Sequence, residues 1–278
     1  MAERTRILEY TPRNTVMHRM NGAAKLAAVA GASIAAMITF DTRLLAAIAA
    51  LAMLCFVLAR VRYRDLKIVL WLLLVFLILN NVFIFLFAPE YGTEIYGTRN
   101  EIAKIGGWTT LTWEQLFYQL NVSLKYFAVV PIALVFIVTT RPSEFASSLN
   151  RIGVPAKVAT SVSLALRFVP DLQRDLRTIM NAQQARGIDV SRQVSLMTRI
   201  RRISGILMPL LLASLARIEV VATALELRGF ERGPKRTWYA ARPFTPSDWV
   251  IVVVSALLIV AAVALLFVNG GRFFNPFV

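Results

Sequence analysis

The sequence predicts an all-α integral membrane protein: about five membrane-spanning helices, with a cytoplasmic domain of two long amphipathic helices (and short helices) inserted before the last span. Three observations carry this. Of the 278 residues 57% are hydrophobic and only 17% charged, with mean hydropathy +0.61, whereas soluble domains carry about 25% charged residues. Apolar runs of the length a bilayer core demands, about 20 residues, recur along the chain. Before the last of them lies a basic stretch, residues 141–242, whose apolar positions follow a helical period.

Composition also narrows the function. The net charge of +15 is distributed at the edges of the apolar runs, where the positive-inside bias puts it, so it does not point to nucleic acid. The single cysteine, Cys55, has no partner for a disulfide or thiolate site, and the single histidine, His18, excludes any site needing two. About twenty polar, basic residues precede the first apolar run, unlike a secretory signal.

An N-terminal transmembrane part covers residues 1–140. Arg4, Arg6, Arg13 and Arg19 mark a cytoplasmic lead-in, and the first span runs over about 22–40. Ala23, Ala27, Gly31 and Ala35 recur every fourth residue on one face, a spacing that lets another helix approach closely. Either a neighbouring helix of this chain or a partner protein suits that face. Asp41 to Arg43 form a tight turn before a second span over 44–59, and Arg60, Arg62, Arg64 and Lys67 return the chain to the cytoplasm.

The third span, 68–88, contains Asn80 and Asn81, each expected to bond a neighbouring helix because an unpaired amide in lipid is costly. Residues 89–114 read as a polar, acidic external loop, and the fourth span as 122–139, with Lys125 near enough to its start to snorkel. In the 141–242 domain, Val162, Leu166, Val169, Leu172, Leu176 and Ile179 make a helical stripe opposite a charged face, with Pro170 expected to bend the helix. Residues 243–278 hold the last span, about 249–268, and a short external C-terminus.

Residues 203–225 are apolar enough to be mistaken for a span. Arg217 and Glu219 would then cost roughly 2.5 to 3.5 kcal/mol each if centrally placed. Charge asymmetry weighs more: with this segment inside, cytoplasmic parts carry 25 basic residues and external parts 4. The segment is therefore expected on the cytoplasmic side, as a second long helix bent at Pro209.

Both long helices end alike. Gln184-Ala185-Arg186-Gly187 and Glu226-Leu227-Arg228-Gly229 each place an arginine at a helix tip and a glycine to stop it. Taken singly each is an ordinary C-cap, with the arginine favouring the negative end of the helix dipole by roughly 0.3–1 kcal/mol. Two of them, 42 residues apart on one chain, offer two similar partner grooves a fork of donors suited to carboxylates and backbone carbonyls.

These paired motifs resemble those of the transmembrane T component of energy-coupling factor (ECF) transporters, with Leu227 where alanine is usual. His18-Arg19-Met20-Asn21 followed by Lys25-Leu26 is also similar to that family's entry to its first span, with Gly22 for a usual proline. The resemblance covers nearly the whole chain. It implies a non-catalytic subunit, without cofactor, in the cell (cytoplasmic) membrane, its N-terminus and coupling domain cytoplasmic. Two ABC-type ATPase subunits, a homo- or heterodimer, would hydrolyse ATP; a substrate-binding membrane protein, the S component, would carry a vitamin or metal ion. Ala185, Arg186, Gly187, Glu226, Arg228 and Gly229 would meet the ATPases. Ala27, Gly31, Ala35, Leu166, Leu210 and Leu211 would contact the S component.

No phosphate-binding Gly-x-x-x-x-Gly-Lys-Ser/Thr loop, Gly-x-Ser-x-Gly elbow or His-Glu-x-x-His pair is present in the sequence. A self-sufficient permease would need polar groups converging at the bilayer midplane, and only Asn80 and Asn81 are offered. A membrane enzyme using Glu144, Asp171 or Asp175 would need an acidic cluster, but these acids alternate with arginines.

Overall fold

The computed structural model describes residues 15–61, 63–104, 110–187, 196–230, 238 and 242–277. The chain divides into two compact units, residues 1–144 with 242–278, and residues 145–241.

The first unit opens with a single turn, α1 (Val16–Arg19), and then α2 (Gly22–Ile38), which Asn21 caps by accepting the Ala23 N–H at 2.9 Å. Asp41 does the same for α3 (Thr42–Leu58), accepting from Arg43 N at 2.9 Å. The expected Asp41–Arg43 turn is thus tighter still, because Arg43 already belongs to the helix. Then come α4 (Tyr63–Phe87) and α5 (Tyr91–Tyr96), followed by a two-stranded antiparallel hairpin, β1 (Glu101–Lys104) and β2 (Thr110–Thr112). The expected external loop therefore contains a short helix and a hairpin.

The next helix, α6 (Trp113–Thr139), begins nine residues before the expected span. Its first two turns are polar but fastened: Thr112 Oγ1 accepts from Gln115 N at 3.3 Å, and buried Glu114 accepts from Thr98 Oγ1 and from both nitrogens of Asn100. A run of amides and acids reads as loop when its caps come from residues distant in sequence.

The core forms where α2, α3, α6 and α10 (Pro246–Val268) meet, around Ala32, Ala35, Leu44, Ile48, Ala52, Ala128, Ile132 and Ala262. Small residues let these helices close up, the packing that replaces the hydrophobic effect between helices in lipid. A Cβ on Gly31 would lie 2.8 Å from Ser255 Cβ on α10, so α2 and α10 touch backbone to backbone there. Gly31 and Ala35 are buried within the chain, and Ala27 is half-buried. At those two positions the small-residue face serves the helix's own neighbours rather than a partner.

Asn81 on α4 bonds α6 as expected, donating to Ser123 Oγ at 3.1 Å, while its carbonyl accepts from Gln119 Nε2 at 3.2 Å. Asn80 departs from expectation: its side-chain oxygen is buried with no hydrogen-bond partner among the described residues. Lys125 also departs, lying twelve residues into α6 with its ammonium 3.2 Å from the centroid of the Phe40 ring.

After α10 the chain folds back on the α2–α3 turn. Arg272 donates to the last carbonyls of α2, at Met37 and Ile38, and accepts from Phe40 N at 2.7 Å. Phe273 stacks on Phe40 at 4.6 Å, and Asn275 donates to the Tyr96 carbonyl at 2.9 Å.

Among the described residues four helical stretches are long and apolar enough to cross a membrane: Leu66–Phe87, Trp113–Thr139, Arg202–Leu227 and Pro246–Val268. The shorter apolar helices α2 and α3, 17 residues each, reach about 25 Å. Length and composition alone thus leave 202–227 as eligible as the others.

The second unit holds most of α7 (Pro142–Arg151), then α8 (Ala156–Ala185) and α9 (Leu196–Leu227). Pro170 and Pro209 lie within α8 and α9. Trp238 Nε1 donates to Asn150 Oδ1 at 3.1 Å. Residues 188–195, 231–237 and 239–241, which the sequence places on the cytoplasmic side, lie outside the described residues.

Candidate functional site

Both arginine motifs end their helices in the left-handed glycine geometry the sequence calls for. Gly229 has φ +65°, its N–H bonds the Glu226 carbonyl at 2.8 Å, and Phe230 N bonds the Leu225 carbonyl at 2.9 Å. This pair of bonds is the Schellman closure, which satisfies carbonyls a helix end would otherwise leave bare. At α8, Gly187 has φ +82° and donates to Gln184 at 2.9 Å, the same first half of the closure; its second half would fall on Ile188, outside the described residues.

Ala185, Arg186, Gly187, Glu226 and Arg228 are exposed, and Gly229 is half-buried. Neither guanidinium forms an ion pair with a described residue. Among the described residues each tip is thus a capped helix end whose guanidinium presents five unengaged N–H donors.

An ion pair joins the two helices. Arg217 of α9 donates from Nη2 to Asp175 Oδ2 of α8 at 2.7 Å, a short, charge-assisted bond between half-exposed side chains. Asp175 lies eleven residues before Arg186, and Arg217 eleven residues before Arg228. Each guanidinium tip is therefore about 16 Å along its helix from the same point. From the sequence Arg217 reads as a charge costly in lipid and Asp175 as an acid alternating with arginines, with nothing to pair them. The separation they share with the tips, 42 residues, was the signal available.

The apolar positions of the two helices differ. Leu166 and Leu210 are half-buried, whereas Leu211 is 57% exposed and shares α9 with exposed Leu207, Met208, Leu212, Leu215 and Ile218. Among the described residues no three His, Cys, Asp or Glu side chains gather as a metal site would require. Asp171 and Asp175 instead meet Arg174 and Arg217.

The profile of the CbiQ family, described as cobalt transport protein, matches residues 13–239, a stretch that contains both helix tips and the ion pair. This chain belongs to the CbiQ family. Relatives within reach of it carry transporter names. The energy-coupling factor transporter transmembrane protein EcfT of Exiguobacterium sibiricum is 34% identical over 173 residues, 59% of this chain and 64% of its own. The protein of the same name from Limosilactobacillus fermentum is 33% identical over 153 residues, 51% of this chain and 57% of its own. A putative ABC transporter ATP-binding protein of Bifidobacterium longum is 28% identical over 264 residues, 91% of this chain but 32% of its own. The chain thus spans less than two thirds of the length of each of these relatives. As a CbiQ-family member it is an all-α membrane protein of a transport system.

Proposed function

We propose that this CbiQ-family chain is the non-catalytic transmembrane coupling subunit of an ECF-type ABC importer. It joins two ATPase subunits to a substrate-binding S component, so that ATP hydrolysis drives uptake of a micronutrient, a vitamin or a metal ion. The observation that carries the reading is the pair of exposed, glycine-terminated arginine tips on two helices cross-tied by Asp175 and Arg217. A pair of related ATPases offers two similar grooves, and two similar tips on one chain match them. The Bifidobacterium relative, named as a putative ABC transporter ATP-binding protein and about three times as long as the stretch it shares, supports a partnership with ATPase modules.

The reading places residues 141–242 and the N-terminus in the cytoplasm, with α2, α3, α4, α6 and α10 as the five spans. Packing supports keeping α9 out of the bilayer: Arg217 is engaged by Asp175 on α8, a helix whose charged face cannot cross lipid. The exposed leucines of α9, Leu211 among them, together with Leu166, Leu210 and half-buried Ala27, are the surfaces left for the S component.

The test uses Arg186→Glu with Arg228→Glu, which keeps helix length and reverses both tips. The double variant should insert normally, lose the ATPases on co-purification, and lose uptake entirely. Single variants, each keeping one attachment, should retain partial uptake. Full uptake by the double variant would end the proposal.

A further inference from the structure

The charged and polar residues at the start of α2 are unusual for an apolar helix, and the mechanism above makes no use of them. His18, Asn21 and Lys25 are each about 95% buried, as are Glu144, Thr139 and Asp248. They are not scattered. Asn21 donates its backbone N–H to Asp248 Oδ1 at 2.9 Å and its side-chain Nδ2 to the Arg242 carbonyl at 2.7 Å. Arg242 returns Nη1 to the His18 carbonyl at 2.8 Å. Lys25 Nζ donates to the carbonyl of Thr139, the last residue of α6, at 3.0 Å, with the charges of Glu144, Arg242 and Asp248 acting on it. The other oxygen of Asp248 holds Thr245 N and Oγ1 at 2.8 and 2.7 Å.

The chain positions involved have a property in common. The polypeptide leaves the membrane unit for the second unit directly after Glu144 and re-enters it at Arg242. The outgoing connection is therefore held to the start of α2 by Lys25, which bonds Thr139 at the end of α6 and lies within reach of the Glu144 charge, and the returning one by the hydrogen bonds between Arg242 and Asn21 and His18. Buried polar groups hold one register, since any slip leaves a donor or acceptor bare at a cost of about 1–3 kcal/mol, whereas apolar faces slide. Farther along, Gly31 lies against Ser255, so α2 and α10 are fastened at a second depth.

We infer that Asn21, Lys25 and Asp248 are positioning residues for energy coupling: they lock both connections of the cytoplasmic unit to α2, so that its displacement is delivered to α2 and α10 instead of being absorbed in the linkers. This rests on the functional reading above. It asks nothing of the residues that meet ATP, the ATPases or the transported solute. Hinge motions are absorbed by a few residues at element ends unless those ends are fixed, and here they are fixed.

The test uses the full chain reconstituted with its ATPase subunits and S component in proteoliposomes. Asn21→Cys and Arg242→Cys, in a Cys55→Ala background, remove two of the ties and allow a disulfide in their place. Reduced, the complex should assemble and hydrolyse ATP but import about tenfold less solute per ATP; oxidised, the same protein should recover to within about twofold. Equal import per ATP in the two forms, with the bridge verified by mass, overturns the inference. A second measurement uses Asp248→Asn with spin labels at exposed Ala30 on α2 and Leu54 on α3. A nucleotide-dependent change in that distance should be present in the parent and lost in the variant, while a pair at Gln184 and Glu226 still responds. Persistence of the α2 response overturns the inference too. If the parent complex neither binds ATPases nor imports, the functional reading fails; if it does both and the redox forms match, only this inference fails.

Discussion

At the scale of single residues, the two glycines that follow the arginines fix where a guanidinium points. A side chain at φ +65° or +82° is strained by about 1–2 kcal/mol, because its Cβ crowds the following carbonyl. Gly187→Val and Gly229→Val are therefore expected to fray the last turn and lower affinity for the ATPases without touching the arginines, as read by binding titration. Gly205 is the control: it lies inside α9 with open space around it, so Gly205→Ala should stabilise by about 1 kcal/mol and leave binding alone. Both tips were legible in the sequence because a cap is a local object: the residue, the stop and the preceding turn lie within five positions. Asn80 was not, since the partner of an amide depends on which helix comes to lie opposite. Asn81 found Ser123 on α6, and the oxygen one residue away found no partner among the described residues.

At the scale of elements, the Asp175–Arg217 pair decides whether α8 and α9 act as one body. A half-exposed ion pair contributes only about 0.2–1 kcal/mol to stability, so its loss should barely move the unfolding temperature. Its effect is expected in register. Asp175→Arg or Arg217→Asp alone should reduce import per ATP, and the charge-exchanged double variant should restore most of it; a double variant no better than either single one would show the pair to be incidental. Helices whose apolar residues run continuously were readable to within a few positions, as in α2, α3, α4 and α10. The start of α6 was hidden because Glu114, Gln115, Gln119 and Asn121 look solvated until Asn100, α5, α4 and α3 supply their partners. The hairpin and the return of residues 272–277 onto Phe40 were hidden because neither leaves a local periodicity: the strands are only four and three residues long, and the return is held by contacts across more than half of the chain.

At the scale of the whole molecule, the question is which helices cross the membrane. Composition admits Arg202–Leu227, and charge asymmetry argues against it. Cysteines introduced at exposed Gln184 and Glu226 should react with a membrane-impermeant reagent from the cytoplasmic side, and one at exposed Glu94 only from the outside. Labelling of 184 and 226 from opposite sides would make α9 a span and dismantle the two-tipped arrangement. The His18–Lys25 entry belongs at this scale as well. Its residues could be quoted from the sequence, but their use could not, because Asp248 and Arg242 lie more than two hundred positions away.

The Asp175–Arg217 contact sits at the same helical distance from both guanidinium groups, about 16 Å. If the two helices scissor about that contact, the arms are equal, and each degree of rotation carries either arginine about 0.3 Å. Ten degrees displaces both by about 3 Å, the length of one hydrogen bond. A pair of motor subunits gripping the two ends would then feel the same stroke and the same load, so neither could advance without the other.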